Sequence, residues 1–130
     1  MGDQADAPCI LIIEDNPLNM KLATQLLTVN GFRVLQAFDG AAGLNLIKTQ
    51  RPALVLLDIH LPDMDGYQVF QKIHEDPDMS GLKVVALTAS AMREDEQAIR
   101  ARGFTDYIAK PIDTRRFVQH VREILACDRA

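Results

Sequence analysis

Five apolar residues, Ala53-Leu54-Val55-Leu56-Leu57, run without a break and stop on Asp58. A run this short and this rich in Val and Leu is that of a strand buried on both faces, not of a helix. Pro62 and Gly66, in the following Ile59-His60-Leu61-Pro62-Asp63-Met64-Asp65-Gly66, mark a loop. Asp58 therefore sits at the carboxyl end of a central strand, where an open α/β sheet presents its ligands. An ionised group at the lip of a dry strand needs a partner.

The rest of the chain repeats the pattern. Cys9-Ile10-Leu11-Ile12-Ile13 is a second solid apolar run, and it ends on Glu14-Asp15. Asn16-Pro17 starts a helix, with Asn16 as N-cap and Pro17 in the first turn. Leu18, Leu22, Leu26 and Val29 recur at helical spacing, and Asn30-Gly31 is a stop. Phe32-Arg33-Val34-Leu35-Gln36-Ala37 interleaves polar residues, as an edge strand does. Asp39-Gly40 opens a second helix carrying Leu44 and Ile47, and Val69, Phe70 and Ile73 line a third. Residues 76–81 read as a surface loop, and Val84-Val85-Ala86-Leu87 as a fourth strand ending on Thr88. A charged helix with Arg93, Glu94, Asp95 and Glu96 has Ile99 as its clearest anchor and stops at Gly103. Tyr107-Ile108-Ala109 is a short fifth strand ending on Lys110-Pro111. Asp113-Thr114 starts a last helix with Phe117, Val121, Ile124 and Leu125 facing inward.

Strand and helix thus alternate five times over connections that only a parallel sheet with right-handed crossovers accommodates. The fold expected is a single α/β domain of the flavodoxin-like kind: a doubly wound five-stranded parallel sheet, helices on both faces. Placing the driest strands centrally gives the order 2-1-3-4-5. The domain is expected to span residues 9–127, with a disordered or extended N-terminal tail at 1–8 and a C-terminal tail at 128–130. At 130 residues there is room for one sizeable core. A net charge of -4 and a pI near 5.2 argue against nucleic acid as the main partner. No apolar run approaches the roughly 20 residues that span a bilayer. The acidic N-terminus lacks a signal peptide's basic start and apolar middle. A cytoplasmic protein is expected, with Cys9 and Cys127 as free thiols.

Strands one, three, four and five all end on residues able to do chemistry: Glu14 and Asp15, Asp58, Thr88, Lys110. In the order 2-1-3-4-5, strands one and three are neighbours, so three carboxylates converge. Two such charges about 4 Å apart repel by roughly 4 kcal/mol at an effective dielectric of about 20. Either one is protonated or a cation enters. Oxygen donors without His or Cys suit Mg²⁺, which takes six oxygens at about 2.1 Å. With the Lys110 ammonium and the Thr88 hydroxyl, the set forms a cradle for a phosphoryl group, and Asp58 is placed to attack phosphorus.

Glu14-Asp15, Asp58 with Pro62 and Gly66, Thr88 followed by the small Ala89, and Lys110-Pro111 together resemble the receiver domain of two-component response regulators, from Cys9 to Leu125. Glu14-Asp15-Asn16-Pro17-Leu18-Asn19 looks especially like single-domain regulators of the cell-division phosphorelay type, and like receivers of hybrid histidine kinases. The resemblance implies that Asp58 is the phosphoacceptor. It implies that Asp15, Asp58 and the His60 backbone carbonyl ligate Mg²⁺, with Glu14 acting on the metal mostly through water. It makes Thr88 and Tyr107 the switch and Lys110 the phosphoryl contact, with a cis Lys110–Pro111 bond. It makes the fourth helix, fifth strand and fifth helix the surface for partners. Those are a sensor histidine kinase or histidine phosphotransfer protein upstream and a protein target downstream, with no nucleic acid and no membrane. The chain is then no enzyme beyond catalysing its own phosphorylation and dephosphorylation. It is expected to be a monomer, with dimerisation on phosphorylation left open. Glu14 stands where Asp is frequent.

Plainer roles stand beside these. Tyr107 reads equally as edge-strand packing, and Asp15 as a helix cap. Asp63 and Asp65 read as solvated turn acids, and His74 and His120 as exposed helix residues. The His60 side chain reads as lining the mouth of the site, where it and Ser90 are candidates for tuning dephosphorylation, and Arg93 to Glu96 read as a solvated face or as part of a partner surface. Two rival functions are weaker. An Asp-nucleophile phosphatase wants an acid shortly after its nucleophile and a cap domain. A flavin carrier wants a phosphate-binding first loop that Glu14-Asp15 would repel.

Overall fold

The computed structural model describes residues 7–79, 81–89 and 93–126, without the side chains of 93–95. Expectations for residues 1–6, Ser90, Cys127, residues 128–130 and the side chains of Arg93, Glu94 and Asp95 lie outside the described residues. Strands and helices alternate as β1 (Cys9–Ile13), α1 (Pro17–Val29), β2 (Arg33–Ala37), α2 (Gly40–Gln50), β3 (Leu54–Asp58), α3 (Gly66–Glu75), β4 (Lys83–Thr88), α4 (Arg93–Ala101), β5 (Asp106–Ala109) and α5 (Phe117–Ala126). The sheet is parallel throughout, in the expected order β2-β1-β3-β4-β5.

Period-two alternation sends each solid strand into two cores at once. Leu11, Ile13, Val55, Leu57, Val84 and Ala86 meet Ile47 of α2, Val69, Phe70 and Ile73 of α3 and Ile99 of α4. Ile10, Ile12, Leu54, Leu56, Val85 and Leu87 meet Met20, Ala23 and Leu27 of α1 and Phe117, Val121 and Ile124 of α5. Every residue of β1 and β3 is buried, which is why neither strand shows a polar interruption. The mixed β2 exposes Arg33 and Gln36 on its free edge.

The helix ends follow the sequence signals. Asn16 Oδ1 accepts the Leu18 and Asn19 N–H groups at 2.9 and 3.1 Å. Gly31 and Gly103, at φ +92° and +103°, close α1 and α4 in the left-handed region that favours glycine. The Lys110–Pro111 bond is cis. Among the described residues, no helix is long and apolar enough to cross a membrane.

Several local expectations are corrected. Leu18 and Val29 are 76% and 78% exposed, and the inward row of α1 is Met20, Ala23 and Leu27. The helix carries apolar residues around most of its girth, so spacing alone left more than one face available. Met79 of the 76–81 loop is buried against the core. The Asp113 turn leads into α5 but is not its first turn: Asp113 Oδ1 accepts the Arg115 N–H at 3.0 Å, and the helix proper begins at Phe117. His120 is not merely an exposed helix residue, because its Nε2 lies 2.9 Å from Asp106 Oδ2 on β5. His74 is exposed as expected, with its ring stacked on Phe70.

The α1 face gives a direct check by denaturant unfolding. Leu27→Ala, which empties a fully buried site, should cost about 3 kcal/mol. Leu18→Ala should change stability by no more than about 0.5 kcal/mol.

Candidate functional site

The site begins with the register of two central strands. Ile13 pairs with Leu57, so the next residues, Glu14 and Asp58, emerge side by side where the strand order reverses. Both are buried, at 1% and 2% exposure, whereas Asp15 is exposed. One carboxylate oxygen from each of Glu14, Asp15 and Asp58 lies within 4.8 Å of the others. From the end of β5, Lys110 Nζ reaches Glu14 Oε1 at 3.1 Å and Asp58 Oδ2 at 3.2 Å. The Lys110 N–H is itself fixed on the Thr88 carbonyl at 2.8 Å.

The other oxygen of each buried acid accepts a backbone donor. Asn16 N–H donates to Glu14 Oε2 and His60 N–H to Asp58 Oδ1, each at 3.0 Å. Each carboxylate is therefore clamped between an amide and the ammonium. Burial pushes the Glu14 carboxyl above its ordinary value. The Asn16 N–H and the Lys110 charge pull it down, and the neighbouring Asp58 adds to the rise. Burial alone would lower the Lys110 pKa, but the charges of Asp58 and Glu14 outweigh it and hold it up, so the ammonium stays charged.

Three carboxylates against one ammonium leave two negative charges uncompensated when all are ionised. That deficit equals the charge of one divalent cation. An all-oxygen set of two buried donors and one open to solvent fits a hard ion that keeps part of its water, such as Mg²⁺.

Thr88 is buried at the end of β4, one residue beyond the Asp58–Leu87 pair. Tyr107 pairs with Ala86 on β5 and is half-buried against the α2–α4 core. Glu96 of α4 is the chief cause of its raised pKa, and the Arg100 guanidinium lies 5.4 Å from its ring centroid. Tyr107 thus packs at the edge strand and also contacts α4.

The β3–α3 loop is closed by a His60–Asp65 bridge and by the Gly66 N–H on the Ile59 carbonyl at 2.7 Å. A Cβ on Gly66 would lie 2.5 Å from the Asp58 carbonyl oxygen, so only glycine fits there. Asp63 and Asp65 are exposed turn acids as expected, but both are engaged. Asp65 caps α3 in a capping box with Gln68. Asp63 accepts the Gly40 and Ala41 N–H groups of α2. Composition could not foretell these, nor the amide clamps from Asn16 and His60, because the bonds depend on the path of the backbone.

A family model described as the response regulator receiver domain matches residues 10–122. The polar-differentiation response regulator DivK of Brucella anthropi is 38% identical over 116 residues, covering 89% of this chain and 94% of that one. A putative response regulator from Chloroflexus aurantiacus superposes with a TM-score of 0.87 at 28% identity, over 93% of this chain and 99% of that one. The receiver domain of a sensor histidine kinase from Pseudomonas aeruginosa, solved with a magnesium ion coordinated in its active site cleft, does so with a TM-score of 0.84 at 29% identity, over 93% and 99%.

The raised Glu14 pKa has a measurable sign. An acid whose pKa is higher folded than unfolded takes up a proton on folding. Metal-free stability should therefore rise as pH falls through the folded-state value towards the ordinary one, and be lowest above it. Urea unfolding without divalent ions should show this contribution growing as the pH is lowered through the folded-state value towards the ordinary 4.5, and Glu14→Gln should remove it.

Proposed function

The chain belongs to the response regulator receiver domain family of two-component signalling, in which phosphoryl acceptance and magnesium binding are typical, and on that premise we propose that Asp58 is its phosphoacceptor. The observation that carries this is the Lys110 ammonium held between the buried carboxylates of Glu14 and Asp58, beside the exposed Asp15. A small, highly charged group is what such a cluster suits.

Asp58 attacks phosphorus through a carboxylate oxygen. The new O–P bond forms as the P–N bond to a donor phosphohistidine breaks, and the leaving imidazole keeps the electron pair and takes a proton from solvent. The His60 N–H holds Oδ1 and so orients the carboxylate. Lys110 faces Oδ2 and contacts the incoming phosphoryl oxygens. Asp15, Asp58 and the His60 carbonyl would hold Mg²⁺, with Glu14 contributing mostly through water. The bound ion supplies charge neutralisation on the phosphoryl oxygens.

Thr88 turns its hydroxyl towards the phosphoryl group, and Tyr107 moves inward, leaving Glu96. The displaced α4–β5–α5 surface then engages a downstream protein, while a sensor histidine kinase or histidine phosphotransfer protein supplies the phosphoryl group. The domain, spanning 9–127, catalyses its own phosphorylation and dephosphorylation and no other reaction.

Incubation with a small phosphodonor and Mg²⁺ should add one phosphate by mass spectrometry, and Asp58→Asn or chelation of the metal should prevent it. A phosphate gained by the Asn variant would overturn the assignment. Phosphorylation should also move the amide resonances from Thr88 to Tyr107. Thr88→Ala should keep the phosphate and lose most of that movement, and unchanged spectra in the wild type would refute the switch.

A further inference from the structure

The tip of the β3–α3 loop is fastened to a different element from those that bound it. Asp63 spends both carboxylate oxygens on the start of α2: Oδ1 accepts the Gly40 N–H at 2.8 Å and Oδ2 the Ala41 N–H at 3.0 Å. Asp39, the N-cap of α2, accepts the Ala42 N–H at 2.8 Å. Amides that a helix start leaves without intrahelical partners are thus satisfied from across the chain. The next residue closes the same joint by packing. A Cβ on Gly40 would lie 2.7 Å from Met64 Cγ and 2.9 Å from its Sδ, so Met64 fills the space that a side chain at position 40 would need. Polar and apolar contacts at consecutive residues therefore dock the tip.

The base of this loop carries the site. His60 N–H holds Asp58 Oδ1 at 3.0 Å, and the His60–Asp65 bridge ties that turn to the residues beside the tip. We infer that Asp63 is a positioning residue for the cation-binding and phosphoryl-accepting site: by pinning the loop tip to α2 it fixes where residues 58–60 present their oxygens. This assignment rests on Asp58 being the phosphoacceptor. Asp63 touches neither metal nor phosphoryl group and acts through His60. The positive end of α2 suits a carboxylate at this place. The Gly40 N–H, above all, holds the Asp63 carboxyl below its ordinary value, so the clasp is intact at neutral pH. A hard cation that demands near-ideal oxygen geometry is sensitive to small errors in such a loop.

The test is a Mg²⁺ titration of the whole chain followed by amide NMR, with melting temperature and phosphorylation by a small phosphodonor measured alongside. In Asp63→Ala the Mg²⁺ dissociation constant should rise about tenfold, and Asp63→Glu should bring it back to within about threefold of the wild type. Phosphorylation of Asp63→Ala should be slow at limiting Mg²⁺ and recover at saturation. Asp63→Asn keeps the shape and one acceptor oxygen, and should show a smaller rise that can be read even if the alanine variant unfolds. Wild-type Mg²⁺ affinity in the Asn variant and in any folded Ala variant, with only a lower melting temperature, would overturn the inference and leave Asp58 in its role. A wild-type chain that neither binds Mg²⁺ nor gains phosphate would remove the phosphoacceptor assignment and this inference with it.

Discussion

One ammonium held between two buried carboxylates organises this molecule. Lys110 lies 96 residues from Glu14 and 52 from Asp58, yet its Nζ bonds to both. Only a sheet that gathers β1, β3, β4 and β5 in parallel brings those ends to one edge. Desolvating two neighbouring acids is unfavourable, and a single positive charge does not balance three carboxylates. The native arrangement is therefore held by the strands around it and left short of positive charge. On the proposed function, the same deficit that weighs against the metal-free fold is what would recruit a divalent ion and then a phosphoryl group.

The surface most able to report on that site is connected to it by few, identifiable contacts. Glu96 of α4 raises the pKa of Tyr107, and Asp106 beside it bridges Arg100 of α4 at 3.4 Å and His120 of α5 at 2.9 Å. The chain after α4 is anchored elsewhere, with Phe104 stacked on Phe70 at 4.1 Å and Arg102 over the Tyr67 ring at 4.1 Å. A residue pair on β5 thus links two helices across the strand that leads into Lys110. On the proposed switch, inward movement of Tyr107 would change its interaction with Glu96 and Arg100, and so give a shift at the phosphoryl site a route to α4. The exposed pairs in this set are individually weak, so rearranging them costs little.

The fold was legible because its central strands are apolar on both faces. Such runs fit few places other than the middle of a parallel sheet, and the mixed β2 fits its edge. The site was legible because strand order turns chain position into spatial position: Glu14 and Asp15, Asp58 and Thr88 each close a dry strand, and Lys110 follows the short edge strand β5. Helix faces were less so. In α1, Leu18 and Val29 have the same chemistry as Leu27, and only the docked sheet distinguishes them. Bonds between side chains and distant backbone amides were not legible at all. Asp63 looks like any turn acid until the start of α2 is seen beside it, and His120 like any helix histidine until β5 places Asp106 opposite.

Diffraction from a crystal soaked in Mn²⁺, with an anomalous difference map, tests the central electrostatic claim most directly. The account predicts one strong peak between the carboxylates of Asp15 and Asp58, close to Glu14 and on the side away from the Lys110 ammonium. A map with no peak there, while Mn²⁺ is bound elsewhere on the same molecule and Lys110 still holds Glu14 and Asp58, would contradict it.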